Sequence, residues 1–237
     1  MKKQSLNGAW TLEIPGSAFG SVPARVPGSV YHDLLTAGMI PDPFYRDNEL
    51  QALQLMENEF HYRRSFTADA ELLKSDRVLL RCEGLDTLAE IYLNDRLVGR
   101  ADNMHRIWEF DAKDALHEGE NRIEVRFASP TKYIREAYAA SRADGSSDAM
   151  RGFPLLRKAH CMFGWDWGPR LPDAGIWRDI SQLGMRTARI RDVLVLQEHT
   201  ESCAYGQALS ASPTPDNAVR YEHSDRSTCI GLRILRL

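Results

Sequence analysis

Residues Cys161–Asp179, CMFGWDWGPRLPDAGIWRD, gather three of the chain's five tryptophans beside three aspartates and two arginines. A tryptophan offers a flat apolar face with one N–H, and an aspartate accepts hydrogen bonds from hydroxyls. Together they make a surface that suits a sugar ring. Gly164 and Gly168 flank Trp165-Asp166-Trp167, and glycines let a loop approach a ligand closely. Two readings of this triplet stand side by side. In one, Asp166 binds a ligand with Trp165 or Trp167 as the wall. In the other, Asp166 is a turn or N-cap aspartate and both tryptophans are core. Trp177 precedes an alternating segment and is assigned to the core.

Chemistry on a glycosidic bond with retention needs two carboxyl groups about 5–5.5 Å apart, one as nucleophile and one as acid/base. The nearby candidates are Asp166, Asp173 and Asp179, with Glu57 and Glu59 further off. Asp173 follows a proline and reads as a turn residue bonding its own backbone. Asp179 reads as a partner of Arg178 or Arg170, and Glu57 and Glu59 as exposed residues before a strand. No pair claims both roles, so no catalytic residue is assigned. His160 beside Cys161 lacks a second pair of metal ligands and reads as a structural histidine. Asn103 and Arg106 read as strand-edge hydrogen bonders. Ser29 lacks the G-x-S-x-G surroundings of a nucleophile elbow. No metal and no cofactor is expected.

The elements that must position the triplet are mostly strands. Trp10–Ile14 reads as a first strand, and Ser29–Ala37 as a short helix capped by Ser29 and ended by Gly38. The segment PDPFYRDNELQ is too irregular for either element. From Glu59 the period becomes two: Phe60, Tyr62 and Phe66, then Arg77–Cys82, a hairpin over Ala89–Gly99 turning at Asn94-Asp95, Ile107–Phe110 and Ile123–Phe127. In NRIEVRF, Ile123, Val125 and Phe127 face one way and Arg122, Glu124 and Arg126 the other, as in a sheet with one wet face. A helix is expected from Ser129-Pro130 through Ala140, then strands at Ile176–Gly184 and Arg189–Leu196. Short, regularly spaced strands imply an all-β, antiparallel jelly-roll sandwich with one or two short helices. The segment 199–237 has no period, is rich in Ser, Thr, Pro and Asp, and is expected to be an irregular, poorly ordered tail.

The totals agree with a globular chain and exclude some partners. The 237 residues carry a formal net charge of -3 with a pI near 6.2, which gives no electrostatic reason to expect nucleic acid or an anionic membrane. MKKQSLNGAW has two lysines and no apolar run after them, so no secretory leader is expected and a cytoplasmic location is. No stretch approaches the roughly 20 apolar residues of a membrane span. Cys82, Cys161, Cys203 and Cys229 lie far apart with no C-x-x-C pair, which argues against a structural zinc site.

Many separate motifs then fall into one order: VPGSVYHDLL, IPDPFYRDNE, ENEFHYRRSF, LDTLAEIYLNDRLVGRADNMHR, FASPTKYIREAY and GWDWGPRLPDAGIWRDI. Between Ser5 and Glu198 they resemble the N-terminal sugar-binding module of the β-mannosidases, in the glycoside hydrolase family that also holds β-galactosidases and β-glucuronidases. Asp95 departs from the glycine usual at that hairpin turn. The resemblance implies a sandwich module over 1–198 that precedes an immunoglobulin-like sandwich and a catalytic (β/α)8 barrel bearing both glutamates. A barrel needs about 250 residues, so the chain is expected to be truncated and inactive alone, with the missing catalytic modules of the same enzyme as its partners. It further implies that Asp166 contacts a β-mannoside or manno-oligosaccharide in the barrel's pocket, with Trp165 or Trp167 in the wall. A free-standing, lectin-like carbohydrate-binding module is the alternative.

Overall fold

Alternation of apolar and polar residues builds the first of two compact units, Met1–Gly184. In this computed structural model, residues 1–186 are described, together with the backbone of four strands between 192 and 236. The strands up to Met185 are β1 (Lys2–Ser5), β2 (Gly8–Glu13), β3 (Ser21–Val26), β4 (Phe60–Thr67), β5 (Arg77–Cys82), β6 (Leu85–Asp86), β7 (Ala89–Leu93), β8 (Arg96–Ala101), β9 (Trp108–Asp111), β10 (Glu120–Phe127), β11 (Phe163–Trp165), β12 (Gly168–Arg170), β13 (Gly175–Ile176) and β14 (Ile180–Met185). The helices are α1 (Val30–Thr36), α2 (Glu49–Leu55), α3 (Ala70–Leu73) and α4 (Pro130–Ala140).

A six-stranded sheet, β3-β2-β4-β10-β7-β8, and a four-stranded sheet, β1-β14-β5-β9, contribute to one hydrophobic core, as the antiparallel sandwich requires. Ile123, Val125 and Phe127 of β10 are buried, and Tyr62 of β4 meets Phe127 edge-on with centroids 5.9 Å apart. The opposite face of β10 is less wet than the alternation suggests. Glu124 is buried beneath Arg63 and Arg126, each 2.9 Å away, with His61 at 3.3 Å. Burial pushes its carboxyl up, but the hydrogen bonds from Arg126 and Arg63 outweigh this and hold it below its ordinary range.

Local chemistry accounts for the turns. Asn94 and Asp95 take φ of 49° and 64°, the left-handed pair a two-residue hairpin needs, and asparagine and aspartate tolerate it. Helix α1 ends on Gly38 at φ 68°, with Gly38 N–H donating to Leu35 O and Met39 N–H to Leu34 O, a Schellman closure. Ser29 occupies the N-cap position of α1 but makes no side-chain bond to the first turn.

Several elements escaped the sequence pattern, α3, β6, β11 and β12 among them. β1 is short and polar, β3 contains a proline and pairs with β2, and α2 begins inside the segment read as irregular. Trp177 is a correction: it is half-buried at a surface cavity, with the Arg178 guanidinium 4.1 Å from its ring centroid, and is not core.

The second unit, Met185–Leu237, contains an antiparallel meander of β15 (Asp192–His199), β16 (Ala204–Ala211), β17 (Val219–His223) and β18 (Arg233–Arg236). β15 covers the strand expected at Arg189–Leu196, displaced toward its C-terminal end. Within the expected irregular tail, 199–237, these strands are the described part, and the rest lies outside the described residues. Cys203 and Cys229 lie there too.

Candidate functional site

The Trp-Asp-Trp triplet sits on a small hairpin. β11 and β12 pair antiparallel with Phe163 opposite Arg170 and Trp165 opposite Gly168, leaving Asp166 and Trp167 as the two-residue turn. Phe163 is the root of the hairpin: it is fully buried in a satellite cluster with Ile134 of α4, Phe153 and Leu156. Gly164 between Phe163 and the tip has φ 106°, and a Cβ there would lie 2.8 Å from Arg170 Cγ. Beyond the root, Trp165 is 46% and Trp167 79% exposed, and Asp166 is exposed with no hydrogen bond among the described residues. The reading that made both tryptophans core is thereby overturned. Among the described residues nothing covers the tip.

The legs of the hairpin stand on a buried polar network. Lys158, before β11, is almost fully buried, and its ammonium pairs with the Asp86 carboxylate and donates to Asp173 O at 2.7 Å. Asp86 also accepts from the Thr87 hydroxyl. Asp86 lies opposite Gly175 in the β6–β13 pair, so three chain segments meet at one cation. Asp173 Oδ1 accepts from Tyr31 N at 3.1 Å and Ala174 N at 2.8 Å. Part of the turn role read for Asp173 is thus present, and part is a long-range cap on α1 that Ser29 does not supply. Burial pushes the Asp173 carboxyl up from 3.8 to about 6, against the opposing bonds from Ser29, Tyr31 and Ala174 and the charge of Lys158.

A cavity of about 540 Å³ opens beside this network, lined by Ser29, His32, Asp86, His105, Asp173 and Trp177 among others. Ala159 and Met162, which lead into β11, also line it. A larger hollow of about 630 Å³ lies on the six-stranded sheet between Glu59, His61, Glu90, Arg100, Trp108 and Arg126. Arg100 pairs with Glu90 there, and Arg126 with Glu124, so its charges are largely spent on one another.

The remaining sequence candidates are dispersed. Asp179 Oδ1 accepts from Asn7 Nδ2 at 2.8 Å, so its partner is an amide and not Arg178 or Arg170. Glu57 is half-buried and held by both Arg135 guanidinium nitrogens, at 3.0 and 2.8 Å, whose hydrogen bonds lower its carboxyl; Glu59 is exposed. His160 packs its ring edge-on against Phe153 at 4.8 Å. Asn103 Oδ1 accepts from His105 N in a local turn, and Arg106 lies 4.8 Å from the Trp108 ring centroid. Among the described residues no group of three His, Cys, Asp or Glu could hold a metal ion. Sequence reasoning missed Lys158 and Asp86. The one available signal was a lysine directly after LLR in an otherwise apolar stretch, and pairing cannot be read from that.

Comparison with known proteins places this arrangement. Residues 7–178 match the family described as glycosyl hydrolase 2 galactose-binding domain-like. The β-mannosidase of Bos taurus is 34% identical over 184 residues, which cover 74% of this chain and 21% of that protein. β-Mannosidase B of Aspergillus terreus is 34% identical over 201 residues, covering 81% and 23%. The crystal structure of a β-D-mannosidase from Dictyoglomus thermophilum superposes with a TM-score of 0.80 at 38% identity, over 89% of this chain and 26% of that one. A β-D-glucuronidase of the same organism, at 16% identity and a TM-score of 0.57, shares the fold alone. The chain thus spans about a fifth to a quarter of the length of these relatives. It belongs to the glycosyl hydrolase 2 galactose-binding-like domain family, and within it matches the N-terminal domain of the β-mannosidases.

Proposed function

We propose that this chain is the substrate-contacting part of a β-mannoside hydrolase. Its hairpin reaches into the sugar pocket of a catalytic domain and offers Asp166 as a hydroxyl acceptor between Trp165 and Trp167. One observation carries the reading: an ionisable side chain without a partner among the described residues stands between two exposed tryptophans on a hairpin whose root is firmly buried. The carboxyl groups around it do not compete for a catalytic role. Asp173 caps a helix and Asp179 bonds Asn7. The proton transfers are assigned to carboxyls of the catalytic domain, and Asp166 acts on binding and orientation.

The test is Asp166→Asn in a hydrolase carrying this domain, with an aryl β-mannoside as substrate. A charged hydrogen bond to a sugar hydroxyl contributes roughly 1.5–3 kcal/mol. At about 1.4 kcal/mol per tenfold, kcat/KM is expected to fall by about one to two orders of magnitude. Unchanged kinetics with a lowered Tm would make Asp166 a structural turn residue. The 237-residue chain by itself is expected to give no turnover.

A second reading keeps one observation in its favour, the exposure of Trp165 and Trp167 in the chain as it stands. A free-standing carbohydrate-binding module needs that platform. Tryptophan fluorescence during a titration with manno-oligosaccharide separates the two: a shift at millimolar sugar supports independent binding, and silence supports contact made only with the catalytic domain.

A further inference from the structure

We infer that Lys158 is a positioning residue that sets how the hairpin presents Asp166, by locking both legs of the hairpin to the sandwich through one buried cation. The inference rests on the hydrolase reading for its purpose, but its geometry is independent of it. The turn Asp166-Trp167 and its flanking Trp165 are exposed, so their direction is decided entirely at the root. There the entering leg contributes Lys158 itself, and the leaving leg contributes the carbonyl oxygen of Asp173, 2.7 Å from the ammonium. The sandwich contributes Asp86 of β6, whose neighbour across the ladder is Gly175, two residues past Asp173. Apart from the cation, the backbone bonds at the root include Met104 N to Arg157 O at 3.0 Å, Met150 N to Phe163 O at 3.0 Å and Leu171 N to Met162 O at 2.8 Å. The Met150 bond ties the hairpin to a neighbouring loop, the Met104 bond ties the residue before Lys158 to the segment after β8, and the Leu171 bond ties one leg to the other; the leaving leg reaches Asp86 through the β13–β6 ladder, and Lys158 joins the entering leg to it.

A lysine at 1% exposure is rarely retained where an apolar residue would pack, because taking two charges out of water costs more than their attraction usually returns. What an ammonium supplies and a methyl group does not is direction: three N–H bonds in a fixed tetrahedral set. That direction joins the entering leg to Asp86 at the point where the leaving leg's β13 pairs with β6.

The experiment is hydrogen–deuterium exchange on the full 237-residue chain, comparing the hairpin amides of residues 163–170 with the core amides of β10. The variant is Lys158→Met combined with Asp86→Asn, which removes the pair without leaving a buried charge unmatched. Hairpin amides are expected to exchange at least about tenfold faster with β10 amides unchanged, since local opening is separable from global opening. Asp86→Asn alone leaves the Lys158 ammonium buried without its countercharge, so its hairpin amides should exchange at least as fast as those of the double variant. Unchanged hairpin exchange overturns the proposal. So does acceleration of hairpin and core by one common factor in the double variant, global unfolding included, and so does hairpin exchange in Asp86→Asn alone that stays at the parent's rate. No sugar enters the measurement, so this failure is distinct from a failure of Asp166→Asn to alter mannoside hydrolysis.

Discussion

Asp173 is a carboxylate used as a helix cap at a place where charge is expensive. Its proton affinity rises from 3.8 to about 6, with burial the largest cause. The folded chain therefore binds this proton more tightly than the unfolded chain. The stability it confers is full below about pH 4 and is lost as pH rises through about 6. A displacement from 3.8 to about 6 corresponds to about 3 kcal/mol at 1.36 kcal/mol per pH unit. Asp173→Asn cannot ionise, yet keeps an oxygen for Tyr31 N and Ala174 N. Urea unfolding followed by tryptophan fluorescence should find the two chains nearly equal at about pH 4 and the variant more stable by up to about 3 kcal/mol at about pH 8, with the divergence falling between. Asp33 is also raised, by burial first, and contributes a slope of the same sign to both chains, so the difference curve isolates Asp173. A pH-independent difference would refute the reasoning. A variant less stable at pH 8 would do so more severely, because it would mean that the ionised cap outweighs its own desolvation.

Phe163→Ala should cost about 3–5 kcal/mol in the same unfolding assay, because it empties the centre of the satellite cluster. Trp167→Ala, at a position 79% exposed, should stay within about 0.5 kcal/mol; equal losses at the two sites would restore the reading that put the tryptophans in the core. Glu124→Gln should destabilise the chain by about 1–2 kcal/mol near neutral pH, discounted because Arg63 and Arg126 are each more than a third exposed. Because the Glu124 carboxyl is held below its ordinary 4.5, this contribution is present above that value and disappears as pH falls through and below it. A loss that persists in acid would point to packing and not to charge. In a hydrolase carrying this domain, Asp166→Asn should leave the acid limb of the pH–rate profile in place, since a shifted limb would make Asp166 a proton donor.

Much of this molecule was open to reading from the chain alone, and the reason is local. Strand alternation in NRIEVRF, the capped start at Ser129-Pro130, the left-handed pair Asn94-Asp95 and Gly38 after α1 each express a preference that neighbouring residues enforce. The Trp-Asp-Trp triplet was visible for the same reason, as a residue combination with few other uses. Tertiary structure decided which way that triplet faces. Identical residues could have packed inward or stood clear; the hairpin carries its tip beyond the buried Phe163, and there Trp165 and Trp167 stand exposed. It also decided what holds the hairpin. Lys158, Asp86 and Asp173 are far apart or unremarkable in sequence, and their roles exist only because β6 and β13 pair and bring two legs of the chain to one buried cation. Partners of charge followed the same rule: Asp179 found Asn7 across the sheet and not the arginines beside it, because distance in the fold, not along the chain, sets an electrostatic or hydrogen-bonded pair.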